Sequence, residues 1–180
     1  AEKITYATDT PSSGQNIPYQ ASSFQGSTGT IEKSYTLGGY LTPGGYRSDA
    51  FSLTFSSETY AQQPGIKVSE SLIANGYQGA NGDTTEVGYF AGGSSPSATS
   101  AAYKLTYASE TFVRSPSSNL PYAAYAIATL GNRTKGYWAG GVAPGGGKST
   151  TSKMSWSTGT FSNVPGMEMN SNASGEASCG

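Results

Sequence analysis

The chain has 180 residues, of which 12% are charged, and its formal net charge is −1. Such a low and balanced charge argues against a nucleic-acid partner, which requires a basic patch or stripe. The chain contains no histidine and one cysteine, so it lacks the commonest general base and zinc ligand and cannot form an internal disulfide. No apolar run reaches membrane-spanning length. We therefore expect no metal, no cofactor and no membrane insertion.

A glycine doublet preceded by an aromatic residue occurs three times along the chain. The segments are "SYTLGG" (34–39), "GYFAGG" (88–93) and "GYWAGG" (136–141), which start 54 and 48 residues apart. Glycine is expected where crowding at a strand end would exclude a side chain or demand a backbone angle that other residues avoid. The glycines concerned are Gly38, Gly39, Gly92, Gly93, Gly140 and Gly141.

A second set of segments repeats at the same period. Its members are "KITYATDT" from Lys3, "FSLTFSSETY" from Phe51, "YKLTYASETF" from Tyr103 and "SKMSWSTGTF" from Ser152. Large apolar residues alternate with polar ones, which predicts strands, and Ser-Glu-Thr or Thr-Asp-Thr then predicts a turn. The central aromatics, spaced 49, 52 and 49 residues apart, are Tyr6, Phe55, Tyr107 and Trp156.

A third, looser set completes the unit. It comprises "IPYQASSFQGSTG", "GIKVSESLIANGY" and "LPYAAYAIATLGN", with the tail "GMEMNSNASGEASCG" as a possible fourth member. Each unit has three strand-like segments and room for a short fourth, and no segment carries a helical apolar stripe. We predict an all-β fold with almost no helix, in one repeat domain over residues 1–180 with units at 1–50, 51–101, 102–151 and, in part, 152–180.

A period near 50 residues, with four short strands and a glycine doublet, resembles the kelch repeat, a blade of a β-propeller. In kelch repeats a glycine pair ends the second strand, an aromatic precedes it, and another aromatic lies on the next strand. On this resemblance Tyr35, Tyr89 and Tyr137 precede the doublets, with Phe55, Tyr107 and Trp156 beyond them. The chain would hold about 3.5 blades. A longer chain, additional copies, or closure into four blades could each complete the ring.

The segments "GYFAGG", "KLTYASET" and "KITYATDT" are also similar to repeats in large virion structural proteins of marine tailed phages, especially cyanophages. This resemblance implies a non-enzymatic tail-fibre, knob or decoration protein, extracellular on the virion surface. Its expected partners are copies of itself, other virion proteins, and host-surface glycan or protein. A cellular kelch-type interaction module is the alternative, and a carbohydrate-active propeller enzyme is a third.

The run "GGGKST" (145–150) has the look of a phosphate-binding loop. That pattern needs Gly, four residues and then Gly-Lys-Ser/Thr, followed by a helix. Counting back from Gly147, the first glycine should be residue 142, which is Val142. The strand-like "SKMSW" follows where a helix is required. We therefore predict a loop between two blade strands, in which Lys148 occupies the position that Arg47 holds in the first repeat.

Loop residues after the glycine doublets are the candidate binding residues. Exposed tyrosine offers a flat apolar face and a hydroxyl, which suits contact with sugar or protein. The predicted patch consists of Tyr40, Tyr46, Arg47 and Asp49, with Lys148 in the third repeat. Asp9, Glu58 and Glu110 share one repeat position, so we interpret them as solvent-exposed turn residues, and we predict no catalytic residue.

Overall fold

The computed structural model of the chain shows an all-β protein built of short antiparallel strands. Its only helical element in the described residues is a single 3-10 turn at Pro116–Ser118. The predicted absence of substantial helix is therefore confirmed. The residues that the structure describes are 2–5, 8, 10–16, 26–41, 45–67, 79–82, 86–94, 97–132, 134–169 and 178–179.

Three four-stranded sheets, here called blades, follow one another along the chain, and in each the strands pair in chain order. Blade 1 consists of β3 (Gly26–Gly29), β4 (Lys33–Leu37), β7 (Ala50–Thr54) and β8 (Thr59–Gln62). Blade 2 consists of β9 (Gly79–Gly82), β10 (Val87–Ala91), β11 (Ala102–Thr106) and β12 (Thr111–Arg114). Blade 3 consists of β13 (Ala128–Gly131), β14 (Lys135–Ala139), β17 (Thr151–Ser155) and β18 (Thr160–Asn163).

Four shorter pairings lie outside this set. Strand β1 (Glu2–Thr5) pairs with β2 (Thr10–Ser13) in an antiparallel hairpin. Two small hairpins join β5 (Tyr40–Leu41) to β6 (Gly45–Tyr46) and β15 (Val142–Ala143) to β16 (Gly146–Gly147). Strand β19 (Ser178–Cys179) pairs in parallel with β13, so it extends the sheet of blade 3 by a fifth strand.

The first strands of the blades lie side by side. Strand β9 is a close neighbour of both β3 and β13. Its sequence is "GANG", and β3 reads "GSTG". Such small residues allow backbones to approach closely. The blades therefore meet along their first strands, and the later strands fan outward.

The hydrophobic core lies between the blades. One cluster joins blade 1 to blade 2 around Leu37, Phe90 and Leu105, and a second joins blade 2 to blade 3 around Trp138 and Met154. Blade 2 is buried on both faces, which explains why β10 reads "VGYFA" without polar alternation. This face-to-face stacking of twisted antiparallel sheets is the packing of propeller blades.

The predicted alternation holds on the third strands of blades 2 and 3 but not of blade 1, where Leu53 is half-buried and Phe55 is exposed. Leu105 and Tyr107 are buried while Lys104 and Thr106 are half-buried. Each third strand leads through a four-residue turn into the short fourth strand. Because the repeat units counted along the sequence start near the third strand, each blade takes strands from two successive units.

Candidate functional site

The blades have two distinct ends, because successive strands run in opposite directions. The loops between second and third strands, within residues 38–49, 92–101 and 140–150, lie at one end, here called the glycine-pair end. The turns after first and third strands, which include residues 30–32, 55–58, 107–110 and 156–159, lie at the other, here called the turn end. The predicted binding patch falls on the first end, and most of the repeated aromatic residues fall near the second.

The glycine doublets follow the second strand of every blade and have left-handed backbone angles. The φ angles of Gly38, Gly92 and Gly140 are 74°, 86° and 70°, and the φ angle of the glycine that follows each of them is also positive. A side chain at Gly92 would place its Cβ 2.7 Å from the carbonyl oxygen of Ala124. Both the backbone angle and this close approach therefore require glycine there.

The same two backbone hydrogen bonds hold the loop after each doublet. The first glycine of each pair donates its amide to the end of its own loop, at the carbonyl groups of Asp49, Ala101 and Thr150 (2.9–3.0 Å). The carbonyl of the second glycine accepts an amide from the loop, which comes from Arg47, Thr99 and Lys148 in the three blades (2.8–2.9 Å). Arg47 and Lys148 thus occupy the same position in blades 1 and 3, as predicted.

The structure brings part of the predicted patch together. The Arg47 guanidinium Nη1 lies 3.8 Å from Asp49 Oδ2 in a partly exposed ion pair. An ion pair of this exposure contributes little to stability but restrains the two side chains. Strand pairing aligns Tyr40 with Tyr46 across the β5–β6 hairpin, and their side chains lie outside what the structure describes. Lys148 is half-buried on the loop of a different blade.

The glycine run in blade 3 forms a β-hairpin. Pro144 and Gly145 turn the chain between β15 and β16, and Gly145 and Gly146 have φ angles of 94° and 121°. Strand β17 follows, with no helix whose amides could face a phosphate. The prediction of a loop between two blade strands is confirmed.

Adjacent blades are joined by stacked aromatic pairs, here called aromatic joints. Tyr35 of β4 stacks on Tyr107 with ring centroids 5.7 Å apart and an interplanar angle of 17°. Tyr89 of β10 stacks on Trp156 with centroids 5.8 Å apart and an angle of 11°. Each joint thus links the second strand of one blade to the residue that follows the third strand of the next.

The joints pair rings that belong to different blades. Within one repeat, Tyr89 precedes its doublet and Tyr107 lies beyond it, but the two rings pack on different neighbouring blades. Phe55 is 45% exposed and makes no ring contact with any described residue. Tyr137 is half-buried, and Tyr6 lies outside the described residues. The aromatic repeat therefore sets contacts between blades and does not pair rings within one blade.

A cleft of about 400 Å³ opens at the turn end, beside the joint between blades 1 and 2. Glu110 lies near it and accepts hydrogen bonds at Oε1 from Lys33 Nζ (3.0 Å) and from the Tyr35 hydroxyl (2.9 Å). The Lys33 ammonium lowers the pKa of Glu110, and burial together with Glu110 raises the pKa of Tyr35. The cleft is lined by Thr30, Ile31, Glu32, Lys33, Tyr35, Tyr107 and Ala108.

The expectation for the repeated carboxylates needs one correction. Glu58 and Glu110 have φ angles of 53° and 49°, and Gly159 at the same repeat position has 62°, so all three shape a left-handed turn. Glu58 is exposed as expected. Glu110 is half-buried and ion-paired to Lys33, because blade 1 packs beside its turn. Asp9 lies outside the described residues. No group of three metal-ligating side chains occurs in the part of the chain that the structure describes.

The connection between blades 2 and 3 carries a residue that sequence reasoning missed. The sequence predicts a strand-like segment at "LPYAAYAIATLGN", but only Ala128–Gly131 forms a regular strand. Tyr122 instead directs its hydroxyl to the carbonyls of Gly140 and Thr150, at 3.2 and 3.1 Å. It therefore ties this connection to the glycine-pair end of blade 3, and burial raises its pKa. No periodic pattern in the segment marks this residue.

A proline-containing turn after each fourth strand was also overlooked. It occurs as "QPGI", "SPSS" and "VPGM", starting at Gln63, Ser115 and Val164. In each, the amide of the fourth residue donates to the carbonyl of the first, at 3.0, 3.0 and 3.2 Å. The recurring proline at 64, 116 and 165 was the available signal.

Comparison with known proteins supports the fold. No family model matches the chain, and no curated protein does. Among solved structures, the chain is similar to YjhT, a β-propeller-type protein, with a TM-score of 0.70 and 9% identity over 90% of this chain. The match spans 56% of the YjhT chain. At this identity the likeness shows the fold alone, which is all-β and of the β-propeller type. None of the described helical segments is long and apolar enough to span a membrane.

Proposed function

We propose that the chain is a non-enzymatic structural and adhesive protein of a tailed-phage virion appendage, such as a tail fibre, knob or decoration. It would work outside the cell, at the virion surface. In this proposal the glycine-pair end contacts host-surface glycan or protein, or neighbouring subunits. The support comes from the resemblance of the repeats to phage virion proteins and from the way the blades hold their loops.

The observation that carries the proposal is that the same backbone hydrogen bonds hold loops of different structure in the three blades. All three loops at the glycine-pair end are held by the same pair of backbone hydrogen bonds. Within that frame the loop is a hairpin in blades 1 and 3, whereas in blade 2 it contains a single bridge between Ser94 and Ala98. A rigid scaffold that presents dissimilar loops is typical of recognition surfaces.

The chemistry of these loops suits weak, polar contacts. The Arg47–Asp49 pair offers donors and acceptors on a partly exposed surface, and Lys148 adds a cation on another blade. Guanidinium and carboxylate groups together can hydrogen-bond the hydroxyl groups of a sugar or the backbone of a protein. Many copies on one particle would convert such weak contacts into strong attachment through effective concentration.

The test uses beads that display many copies of the chain. Adsorption to a panel of bacterial cells and purified surface glycans is measured for the native chain and for a variant with alanine at Tyr40, Tyr46, Arg47, Asp49 and Lys148. We expect the native chain to adsorb saturably to some members of the panel and the variant to lose this adsorption.

A matched control carries alanine at Glu32, Glu86 and Lys135, which are exposed at the turn end. This control should adsorb like the native chain. Undiminished adsorption by the five-residue variant, or equal loss in both variants, would contradict the assignment of contacts to the glycine-pair end. Adsorption to no cell or glycan would leave subunit contacts as the role of this surface, tested by cross-linking within particles.

A further inference from the structure

The cleft between blades 1 and 2 at the turn end offers a hydrogen-bond donor and an acceptor side by side. Lys33 lines the cleft and uses one of its N–H donors on Glu110 Oε1 (3.0 Å), which leaves it further donors. Tyr35 donates its hydroxyl to the same oxygen (2.9 Å), and Glu110 Oε2 accepts no hydrogen bond from the described residues. The side chains of Lys33 and Glu110 are 40% and 34% exposed, so a ligand can reach both.

An exposed apolar side chain lies beside these polar groups. Ile31 is 83% exposed in the turn between β3 and β4, and it lines the same cleft together with Ala108. The volume of the cleft, about 400 Å³, lies within the range of small-molecule sites. Apolar surface next to convergent polar groups is the usual composition of such sites. The cleft therefore has the size and the mixed lining of a ligand site.

The Lys33–Glu110 pair is specific to the first joint. At the second joint the corresponding positions hold Val87 and Gly159. The second joint is nevertheless stacked like the first, so stacking does not require a charged pair. A partly exposed ion pair also contributes little to stability. Neither packing nor stability accounts for the charged pair at this position, which favours a role in binding.

The charges around the cleft select the class of ligand. An anionic group would meet the carboxylates of Glu32 and Glu110, and a cationic group would meet the ammonium of Lys33. A hydroxyl group carries no charge, and it can both accept from an ammonium and donate to a carboxylate. Neighbouring hydroxyl groups on a ring with an apolar C–H face therefore match the charged pair and the exposed isoleucine together.

We propose that this cleft binds one neutral sugar ring. Lys33 donates to one ring hydroxyl, Glu110 Oε2 accepts from the neighbouring hydroxyl, and Ile31 covers the C–H face of the ring. Because the cleft is shallow and partly exposed, we expect a dissociation constant in the millimolar range. This inference is independent of the proposed adhesive function, since the cleft lies at the opposite end of the blades from the loops after the glycine doublets.

NMR titration of the isotope-labelled full chain tests the site. The probes are glucose, galactose and mannose, each compared with its own amino sugar and its own uronate. We expect at least one neutral sugar to shift the amide signals of residues 30–35 and 107–110. The amino sugar and the uronate of that same ring should bind at least about threefold more weakly, because each places a charge beside a like charge of the site.

Three variants locate the ligand. Lys33→Met and Glu110→Gln should each weaken binding about tenfold, because each removes a hydrogen bond to a charged group. Ile31→Ala should weaken binding about threefold through lost apolar contact. Since Ile31 is almost fully exposed, this third variant should keep the native fold even if the other two are destabilised. Circular dichroism checks the fold of all three.

Two matched controls change the same residue types at corresponding repeat positions. Lys135→Met alters the first residue of β14, as Lys33→Met alters the first residue of β4. Glu58→Gln alters the left-handed turn residue of blade 1, as Glu110→Gln alters that of blade 2. Both controls should bind the neutral sugar like the native chain.

Several outcomes would overturn the proposal. One is the absence of amide shifts with all three neutral sugars, and another is tighter binding of an amino sugar or uronate than of its neutral parent. Equal binding by the native chain, Lys33→Met and Ile31→Ala would also overturn it. Shifts confined to residues 38–49 or 140–150 would reject the cleft and assign sugar binding to the glycine-pair end.

Discussion

The two complete aromatic joints occupy the same repeat position and differ in chemistry. Between blades 2 and 3, the ring of Trp156 also packs edge-on against the ring of Trp138, with ring centroids 6.1 Å apart. Its indole N–H donates a hydrogen bond to the carbonyl of Asn132 (2.8 Å). Between blades 1 and 2, Tyr107 donates or accepts one hydrogen bond with Thr28 (2.7 Å), and a cleft lies beside it. The joint with the larger ring has a second aromatic contact, and the joint with the smaller ring has polar side chains and a cleft at its edge.

One repeat position can therefore hold either a tyrosine or a tryptophan in the same stacked arrangement. In both joints a tyrosine on a second strand supplies one of the two stacked rings. The side chains that pack around the stacked pair differ: one joint has an additional tryptophan ring, and the other has polar side chains. The polar edge is the Lys33–Glu110–Tyr35 network, which reaches from blade 1 to the turn of blade 2. The stability of the first joint should therefore depend on pH and on single hydroxyl groups. The stability of the second joint should depend on the size of its aromatic side chains.

Truncation of Trp156 should produce the largest effect. Trp156→Ala removes a ring that contacts both Tyr89 and Trp138, so we expect the free energy of unfolding to fall by about 3–5 kcal/mol. Phe55→Ala, at the same repeat position but with a mostly exposed ring, should cost under about 1 kcal/mol. Urea denaturation followed by circular dichroism measures both values. Equal losses would show that the joint does not depend on the stacked partner.

The glycines that precede Tyr89 and Tyr137 on the second strands give the next largest effect. A Cβ at Gly136 would overlap the Trp156 ring and lie 2.7 Å from the Trp138 ring, so Gly136→Ala should cost about 1–3 kcal/mol. A Cβ at Gly88 would meet the side chain of Thr28 and the Tyr107 hydroxyl at 2.6 Å. These groups can shift more readily than indole rings, so Gly88→Ala should cost less. A greater loss for Gly88→Ala in thermal unfolding would contradict this ranking.

The buried hydroxyl of Tyr107 gives a smaller effect. Tyr107→Phe leaves the Thr28 hydroxyl without its partner and should cost about 1–2 kcal/mol. Changing both residues, Tyr107→Phe with Thr28→Val, removes donor and acceptor together and should cost no more than the single change. Chemical denaturation of the four combinations measures this. A double variant that loses the sum of both single losses would show that the hydrogen bond is not the relevant contact.

The smallest expected effect is a pH dependence of the free energy of unfolding, which arises from the Lys33–Glu110–Tyr35 network beside the first joint. The Lys33 ammonium lowers the pKa of Glu110 from its usual 4.5, so this ion pair stabilises the fold above about pH 4.5 and the contribution is lost as pH falls through the folded-state pKa. Tyr35 has a raised pKa, so its contribution is present below about pH 10 and lost as pH rises further.

Comparison of Glu110→Gln with the native chain isolates this ion pair. The variant should be slightly less stable at neutral pH, and its stability should change less between about pH 5 and pH 3. Lys33→Met should show the same flattening. Native chain and Glu110→Gln with parallel stability curves would show that the ion pair does not affect folding.

Much of the fold could be predicted from the sequence, because the repeat is local. Apolar alternation identified the third strands, and the doublets marked the ends of the second strands, where positive φ angles are needed. The position shared by Arg47 and Lys148 also followed from counting within the repeat. These features depend on residues that are near in sequence or one period apart, so pattern alone is sufficient to find them.

The features that the sequence did not predict are the particular pairs of residues that meet between blades. Tyr35 and Tyr107 are 72 residues apart, more than one period, and nothing within a single unit shows that their rings meet. The ion pair of Glu110 also depends on a lysine of another blade. Tyr122 acts through carbonyl groups that no sequence pattern marks. Three-dimensional packing decides all of these.

The central claim is that the repeated aromatics join neighbouring blades. Double-mutant cycles on the free energy of unfolding test it most directly, with leucine replacing the rings of Tyr89, Trp156 and Tyr107. We expect a coupling of about 0.5–1.5 kcal/mol between Tyr89 and Trp156, which lie on adjacent blades, and none between Tyr89 and Tyr107, which lie on one blade. Coupling between Tyr89 and Tyr107, with none between Tyr89 and Trp156, would contradict it.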